Sequence, residues 1–98
     1  MMSSQEIQAK RLLSRWKRKQ FIYQKKLNSF PQRLTSKNLE YIDMAILLTS
    51  DYLKFIKSIN CSLIKHLNSS DSKQVNVLID SIKLSLAIIS EKLRHIEP

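Results

Sequence analysis

The chain has 98 residues, of which 43 % are apolar, and a net charge of +9 at pH 7. A chain of this length fits one small domain with a modest core. It contains no glycine, which excludes Gly-rich phosphate loops and dinucleotide fingerprints and disfavours tight hairpin turns. We therefore expect an all-α protein.

The chain also lacks the signals of secretion and membrane insertion. Its one cysteine, Cys61, cannot form an internal disulfide, and we expect a buried, unreactive thiol. There is no apolar run of signal-peptide type and no apolar stretch of about eighteen residues. These features predict a soluble, intracellular protein.

The excess of positive charge lies in the first third of the chain. Residues 1–37 contain ten Lys and Arg residues and one acid, whereas residues 38–98 contain seven basic and seven acidic residues. We expect residues 1–5 to be disordered and residues 6–30 to form a basic helical segment, as one bent helix or two shorter ones. Its apolar face is predicted at Ala9, Leu12, Leu13, Trp16, Tyr23 and Leu27. This uneven charge suggests an acidic partner, nucleic acid first and an anionic membrane second.

A long central helix is predicted over residues 36–67, because Pro31 ends the first helical pattern and Ser36 is a candidate N-cap. Its apolar residues form two strips. The first strip is Leu39, Ile42, Ile46, Leu53, Ile56, Leu63 and Leu67. The second is Tyr41, Ala45, Leu48, Tyr52, Phe55 and Ile59. Two strips offer more apolar surface than one contact within the chain needs.

A polar break at residues 68–72 precedes a final helix, predicted over residues 73–96. Its main stripe is Val75, Leu78, Ile79, Ile82, Leu86, Ile89, Leu93 and Ile96. Val77, Leu84 and Ile88 add a separate strip. This surplus predicts an interface with a partner chain at Leu48, Tyr52, Phe55, Ile59, Leu63, Ile82, Leu86 and Ile89.

The sequence shows no pattern typical of catalysis or metal binding. His66 and His95 lie near the ends of different helices and make no zinc pattern with Cys61. The acidic residues are spread singly, and no serine stands in a nucleophile context. We expect no enzymatic activity, no metal and no cofactor.

The predicted order is helix, loop, long central helix, loop, helix, which is the layout of a histone fold with an extended basic N-terminal helix. Residues 6–98 would form this single domain. A histone fold is not stable alone, since two copies clasp each other head to tail across their long helices. That clasp would account for the surplus apolar surface.

Several short segments resemble the centromere protein W family. The segment Pro31-Gln32-Arg33-Leu34-Thr35-Ser36-Lys37, followed by Ala45-Ile46-Leu47-Leu48, is similar to that family's first loop and long helix. The segment from Lys10 to Lys19 looks like its basic first helix. Lys73-Gln74-Val75-Asn76 resembles its second-loop strand. The match needs an insertion of several residues between Lys19 and Pro31.

The resemblance implies a nuclear protein of the chromosome, located at the centromere and kinetochore. It implies a histone-fold partner like centromere protein T, contact with double-stranded centromeric DNA, and association with other inner-kinetochore subunits. It also implies that the pair can join a second histone-fold pair as a heterotetramer. No membrane takes part in this interpretation.

The residues predicted to bind DNA come from the basic first segment and the two loops. They are Arg11, Arg15, Lys17, Arg18, Lys19, Lys25, Lys26, Arg33, Lys37 and Lys73. No recognition-helix signature is present, so we expect phosphate contacts without base readout.

Two other interpretations stay open. One is a small basic four-helix bundle at an anionic membrane surface, as in bacteriocin-immunity proteins. The other is a helical adaptor within a larger complex, whose basic face is merely solvated. Flotation with anionic liposomes tests the first interpretation. Charge reversal on the basic segment tests the second, which predicts that DNA binding is unchanged.

Overall fold

A computed structural model describes residues 3–59 and 62–98, without the side chains of Ser62 and Leu63. The described chain forms three long α-helices, α1 (Ser4–Asn28), α2 (Leu39–Ile59) and α3 (Ser69–Arg94), and a short 3₁₀ helix (Ser62–His66). No β-strand occurs among these residues, which confirms the all-α class. The expectation of a buried thiol at Cys61 lies outside the described residues.

The basic segment is one continuous helix, α1, of 25 residues. It begins two residues earlier than predicted because Ser3 caps it, its side-chain oxygen accepting from the Glu6 N–H at 3.2 Å. Residues 3–5 therefore belong to the helix start, and the rest of the segment expected to be disordered lies outside the described residues. At the other end the Ser29 hydroxyl donates to the Lys26 carbonyl at 2.6 Å. Pro31 then prevents continuation of the helix.

The central helix is shorter than predicted, and Ser36 does not cap it. Asn38 precedes the helix and organises the turn before it, since its side-chain oxygen accepts from the Thr35 N–H at 2.9 Å. The helix ends at Ile59, with 21 residues rather than the 32 of the 36–67 prediction. Near that end the Ser58 hydroxyl donates to the Phe55 carbonyl at 2.7 Å, a local bond of the kind that competes with helix geometry.

The final helix starts four residues earlier than the 73–96 prediction. Asn68 caps it, because its side-chain oxygen accepts from the Asp71 N–H at 2.8 Å. The last turn closes with the His95 N–H donating to the Glu91 carbonyl at 3.2 Å. The residues after Arg94 leave the helix and fold back on the first loop.

The three helices lie side by side in an up-down-up bundle, with overall dimensions of 59 × 18 × 18 Å. Helices α1 and α3 are parallel, because pairs 61 residues apart meet along both: Lys10 with Asp71, Gln20 with Ser81, Gln24 with Ser85. Helix α2, which comes between them in the sequence, runs antiparallel to both. The 3₁₀ helix packs against α1.

One core runs through the bundle between the three helices. The largest fully buried side chains are Leu34, Tyr52, Phe55, Ile59, Ile82 and Ile89. Tyr23 of α1 joins it to α2, with its ring centroid 5.1 Å from Tyr52 and 6.2 Å from Phe55. Edge-to-face pairs of this kind add to the stabilisation from burial alone.

Most residues of the predicted partner interface are buried within this chain. Leu48, Tyr52, Phe55, Ile59, Ile82 and Ile89 are buried in the core of this chain. Leu86 is half-buried against the same core, and the side chain of Leu63 lies outside the described residues. The first strip of α2 is the exposed one instead, because the larger aromatic side chains of the second strip face α1 and α3.

A candidate nucleic-acid interface on the first helix

The surface of α1 that faces away from the core is basic along most of its length. The helix buries Ala9, Leu13, Trp16, Gln20 and Leu27 against the rest of the bundle. Six basic side chains are exposed on the opposite side: Arg11, Arg15, Arg18, Lys19, Lys25 and Lys26. We call these six residues the basic face. At 1.5 Å per residue the face extends about 22 Å along the helix.

The basic face carries charge that the rest of the chain does not neutralise. The ion pairs of the described residues are Lys10–Asp71, Arg33–Glu97, Arg94–Glu91 and His95–Glu91. None of them involves the basic face. Helix α1 holds eight Lys and Arg residues and one acid, Glu6, so its net charge is +7. Concentrated charge of one sign attracts a polyanion and raises its rate of association.

Two lysines of the basic face lie over aromatic rings. The Lys19 ammonium is 5.2 Å from the centroid of the Phe55 ring and 5.8 Å from that of Tyr23. The Lys25 ammonium is 5.2 Å from the centroid of Phe21, whose side chain is exposed. Such cation–π contacts are weak at the surface, so both ammonium groups stay available to an anion.

Lys17 and Lys73 lie apart from the basic face, in the groove between α1 and α3. The Lys17 ammonium donates to the Gln74 side-chain oxygen across that groove. Both lysines line a shallow cavity of about 500 Å³, together with Val77 and Leu78. They can extend a basic contact around the side of α1, but they do not belong to the basic face.

Arg33 and Lys37 lie in the loop between α1 and α2, not on the exposed side of α1. Arg33 is paired with Glu97, with 3.0 Å between its Nη1 and the Glu97 Oε1. Lys37 is exposed within the same loop. The structure therefore brings together six of the ten residues predicted to bind DNA and leaves Lys17, Lys73, Arg33 and Lys37 elsewhere.

A buried polar cluster at the centre of the bundle was not predicted from the sequence. The Gln20 amide donates to the Ser81 hydroxyl at 3.0 Å, and the Ser85 hydroxyl donates to the Gln24 side-chain oxygen at 3.1 Å. The Tyr52 hydroxyl and the Gln20 side-chain oxygen are buried without a hydrogen bond. The signal for it was present, since Gln20 and Ser85 occupy core positions in otherwise apolar stripes.

The two tyrosines beside this cluster are harder to ionise than free tyrosine. Burial raises the pKa of Tyr52 above its ordinary value of 10.0, although the nearby Ser85 and Gln20 side chains lower it. Burial, and then the negative charge of Asp51, raise the pKa of Tyr23. Both groups are neutral at physiological pH, so neither offsets the charge of the basic face.

Neither a metal-binding cluster nor a membrane-spanning helix occurs within residues 3–59 and 62–98. No group of three or more His, Cys, Asp or Glu side chains there is placed to hold a metal ion. None of the described helices combines the length and apolar character needed to cross a bilayer.

Comparison with known proteins adds nothing to this description: no family model, no curated protein and no solved structure matches the chain.

Proposed function

We propose that this chain binds the phosphate backbone of double-stranded DNA through the basic face of α1. The observation that carries the proposal is the net charge of +7 on one helix whose six outward basic residues have no acidic partner among the described residues. The spacing of Arg11, Arg15 and Arg18 places successive guanidinium groups about one turn apart. Guanidinium groups suit bidentate contact with phosphate oxygens.

The binding is expected to be independent of base sequence. Helix α1 is packed against the core along its whole length, so only its charged side can reach a duplex. Six Lys and Arg residues dominate that side, which also exposes Gln8, Ser14 and Ile22. Lys and Arg suit phosphate oxygens, whereas Gln8, near the start of the helix, is the kind of residue that reads adenine by paired hydrogen bonds. Phosphate contacts position a protein on DNA without specifying a site.

Salt dependence provides the test. Six phosphate contacts predict that the logarithm of the association constant falls with the logarithm of salt concentration with a slope of about −5. Fluorescence anisotropy of a labelled duplex measures this slope. The double variant Arg15→Gln/Arg18→Gln should reduce it by about two and weaken binding at every salt concentration.

The matched control is Lys65→Gln/Lys83→Gln, which removes the same charge from exposed positions outside α1. The control should keep most of the wild-type slope. If the two double variants bind alike, the basic face is not the binding surface. Retention on phosphatidylserine vesicles together with no binding to the duplex would instead support the membrane interpretation.

We further propose, from the resemblance to centromere protein W, that the DNA is centromeric and that the chain is an inner-kinetochore subunit with a centromere protein T-like partner. The segment Pro31-Gln32-Arg33-Leu34, which contributes to that resemblance, lies directly between α1 and α2. A histone-fold clasp would require Tyr52 and Phe55, which fill the core here, to exchange their neighbours for the partner's side chains.

Co-expression with a centromere protein T histone-fold segment tests this narrower proposal. A stable 1:1 complex by size-exclusion chromatography and light scattering would support it. Failure to form a complex, with duplex binding retained, would overturn the kinetochore assignment and leave the DNA-binding proposal standing.

A further inference from the structure

The outward face of α2 is unusually apolar for a surface helix. Four large side chains are exposed there: Leu39 at 66 %, Ile46 at 56 %, Leu47 at 65 % and Leu53 at 51 %. Leu39, Ile46 and Leu53 follow each other at intervals of seven residues, so they lie along one line of the helix. An apolar line on a surface helix marks a place where another chain can pack.

The charged residues on this face are ordered along the helix. The acidic Glu40 and Asp43 lie in its first half, and the basic Lys54 and Lys57 lie in its second half. All four side chains are exposed, and none takes part in an ion pair within the described parts of the chain. The face therefore has one acidic end and one basic end, with apolar residues between them.

We propose that a second copy of this chain docks on the outward face of α2, with the two α2 helices antiparallel. In one register Glu40 lies opposite Lys57 and Asp43 opposite Lys54, because the residue numbers of both pairs add to the same total. The two-fold axis repeats each pair, which gives four ion pairs. Parallel helices would instead place acid against acid and lysine against lysine.

The same register brings the apolar residues together. The axis passes close to Leu47, so the two copies of Leu47 meet near the centre of the interface. Ile46 of one copy lies within about one helical turn of Leu53 of the other. Ionic ends that flank an apolar centre resemble the general anatomy of interfaces.

The distribution of charge also favours this face over the others for a second copy. Helix α2 has a net charge of −1, whereas α1 has +7 and α3 has +1. Two highly basic molecules repel each other least when they approach through the surface with least positive charge. The interface uses none of the residues of the basic face and does not depend on the proposed DNA binding.

The size of the face sets the expected strength. A helix of 21 residues offers a face about 30 Å long and 10 Å wide, well below the roughly 800 Å² per partner of a standard interface. The dimer should therefore be weak and dependent on concentration. Sedimentation equilibrium without DNA, at low salt and at up to about 500 µM protein, covers the range in which it should form.

Charge exchange tests both the occupant and its orientation. The variant Glu40→Lys/Asp43→Lys and the variant Lys54→Glu/Lys57→Glu should each associate at least tenfold more weakly than wild type, because each then faces like charges. An equimolar mixture of the two should associate again, because the lysines of one variant then face the carboxylates of the other. A single variant carrying all four changes should also dimerise. Circular dichroism confirms that each variant is folded.

A carbodiimide, which joins a carboxylate to an ammonium group in contact with it, reports the register. Peptide mapping of the cross-linked dimer should find Asp43 joined to Lys54 of the other copy. The proposal is overturned if wild type stays monomeric throughout the concentration range. It is also overturned if wild type dimerises but the four-residue exchange fails to restore association, which would indicate that the copies meet through another surface.

Discussion

Tyr52 is the residue on which burial and polarity conflict most clearly. Its side chain is fully buried, and its hydroxyl has no hydrogen bond. An unpaired buried hydroxyl offsets part of the stabilisation that the ring provides. The ring is therefore the part of Tyr52 that the bundle needs, and the hydroxyl contributes little.

We predict that Tyr52→Phe changes the free energy of unfolding by less than about 1 kcal/mol at pH 7, measured by urea denaturation. The larger effect should appear at high pH. The folded pKa of Tyr52 lies above 10.0, so the unfolded chain ionises first and stability is lost as pH rises above that value. The variant should lose less stability there than wild type.

Tyr41→Phe, which lies against Phe30 outside the polar cluster, is the control for this measurement. The Tyr52→Phe variant should retain some of the alkaline loss through Tyr23, whose pKa is also raised. An alkaline loss that Tyr52→Phe leaves unchanged would show that Tyr52 ionises in the folded bundle as easily as in the unfolded chain.

Substitution of Phe55 tests whether this residue belongs to the core of one chain or to an interface between chains. It is 1 % exposed and packs against Tyr23, so Phe55→Ala should lower the free energy of unfolding by about 3–5 kcal/mol. The loss should be the same at all protein concentrations. Leu47→Ala, at an exposed position on the same helix, should cost much less in dilute solution. If the loss of stability caused by Phe55→Ala vanished on dilution, Phe55 would belong to an interface between chains.

At the scale of the element, the segment after α3 ties the end of that helix to the loop between α1 and α2, at one end of the bundle. The Glu97 N–H donates to the Leu34 carbonyl at 2.9 Å, and the Ser36 N–H donates to the Glu97 carbonyl at 2.7 Å. The Lys92 ammonium also donates to the Pro31 carbonyl at 2.9 Å. The loop between α1 and α2 is held by these bonds rather than by a helix of its own.

Removal of residues 96–98 should therefore cost about 2–3 kcal/mol, since two backbone hydrogen bonds are lost and Leu34, which is fully buried, gains access to water. Glu97→Ala keeps the backbone bonds and loses only the exposed pair with Arg33, so its cost should stay below about 1 kcal/mol. Thermal melts of the two variants compare these effects directly. Equal losses of stability in the two variants would show that the Glu97 side chain, and not the backbone, holds the loop.

Helices α1 and α3 show how far periodicity carries a prediction. In α1 the predicted apolar face at Ala9, Leu13, Trp16 and Leu27 is the buried face. In α3 the strip predicted as separate, Val77, Leu84 and Ile88, is exposed. Each of these helices has one stripe clearly richer in large apolar residues than the rest, so the spacing alone indicates which side faces the core.

Helix α2 shows why its buried side and its C-terminal end could not be predicted from the sequence. Its two apolar strips are similar in length, and spacing cannot say which of them faces the neighbouring helices. Its end at Ile59 falls in a stretch without proline or glycine, so composition gives no sign of a break. The predicted partner interface lies largely on the strip that the tertiary packing turns inward.

For the molecule as a whole, the basic face could be predicted because it needs only one helix. Its six residues share α1, and their exposure follows from the apolar residues between them. Lys73, Arg33 and Lys37 depend on how separate elements meet, which charge patterning does not reveal. The buried polar cluster joins α1 to α3 beside Tyr52 of α2. Polar residues at core positions of α1 and α3 signal it, but neither helix alone identifies the hydrogen-bond partners.

The parallel packing of α1 and α3 has a consequence for the nascent protein. Gln20 and Gln24 of α1 find their hydrogen-bond partners on a helix that follows about sixty residues later, so loop closure across that distance precedes the formation of these bonds. During synthesis the basic helix leaves the ribosome before α3 exists, with its apolar side unprotected. Until α3 arrives, the segment that would bind DNA is an amphipathic cationic helix without a core, in an environment rich in ribosomal RNA.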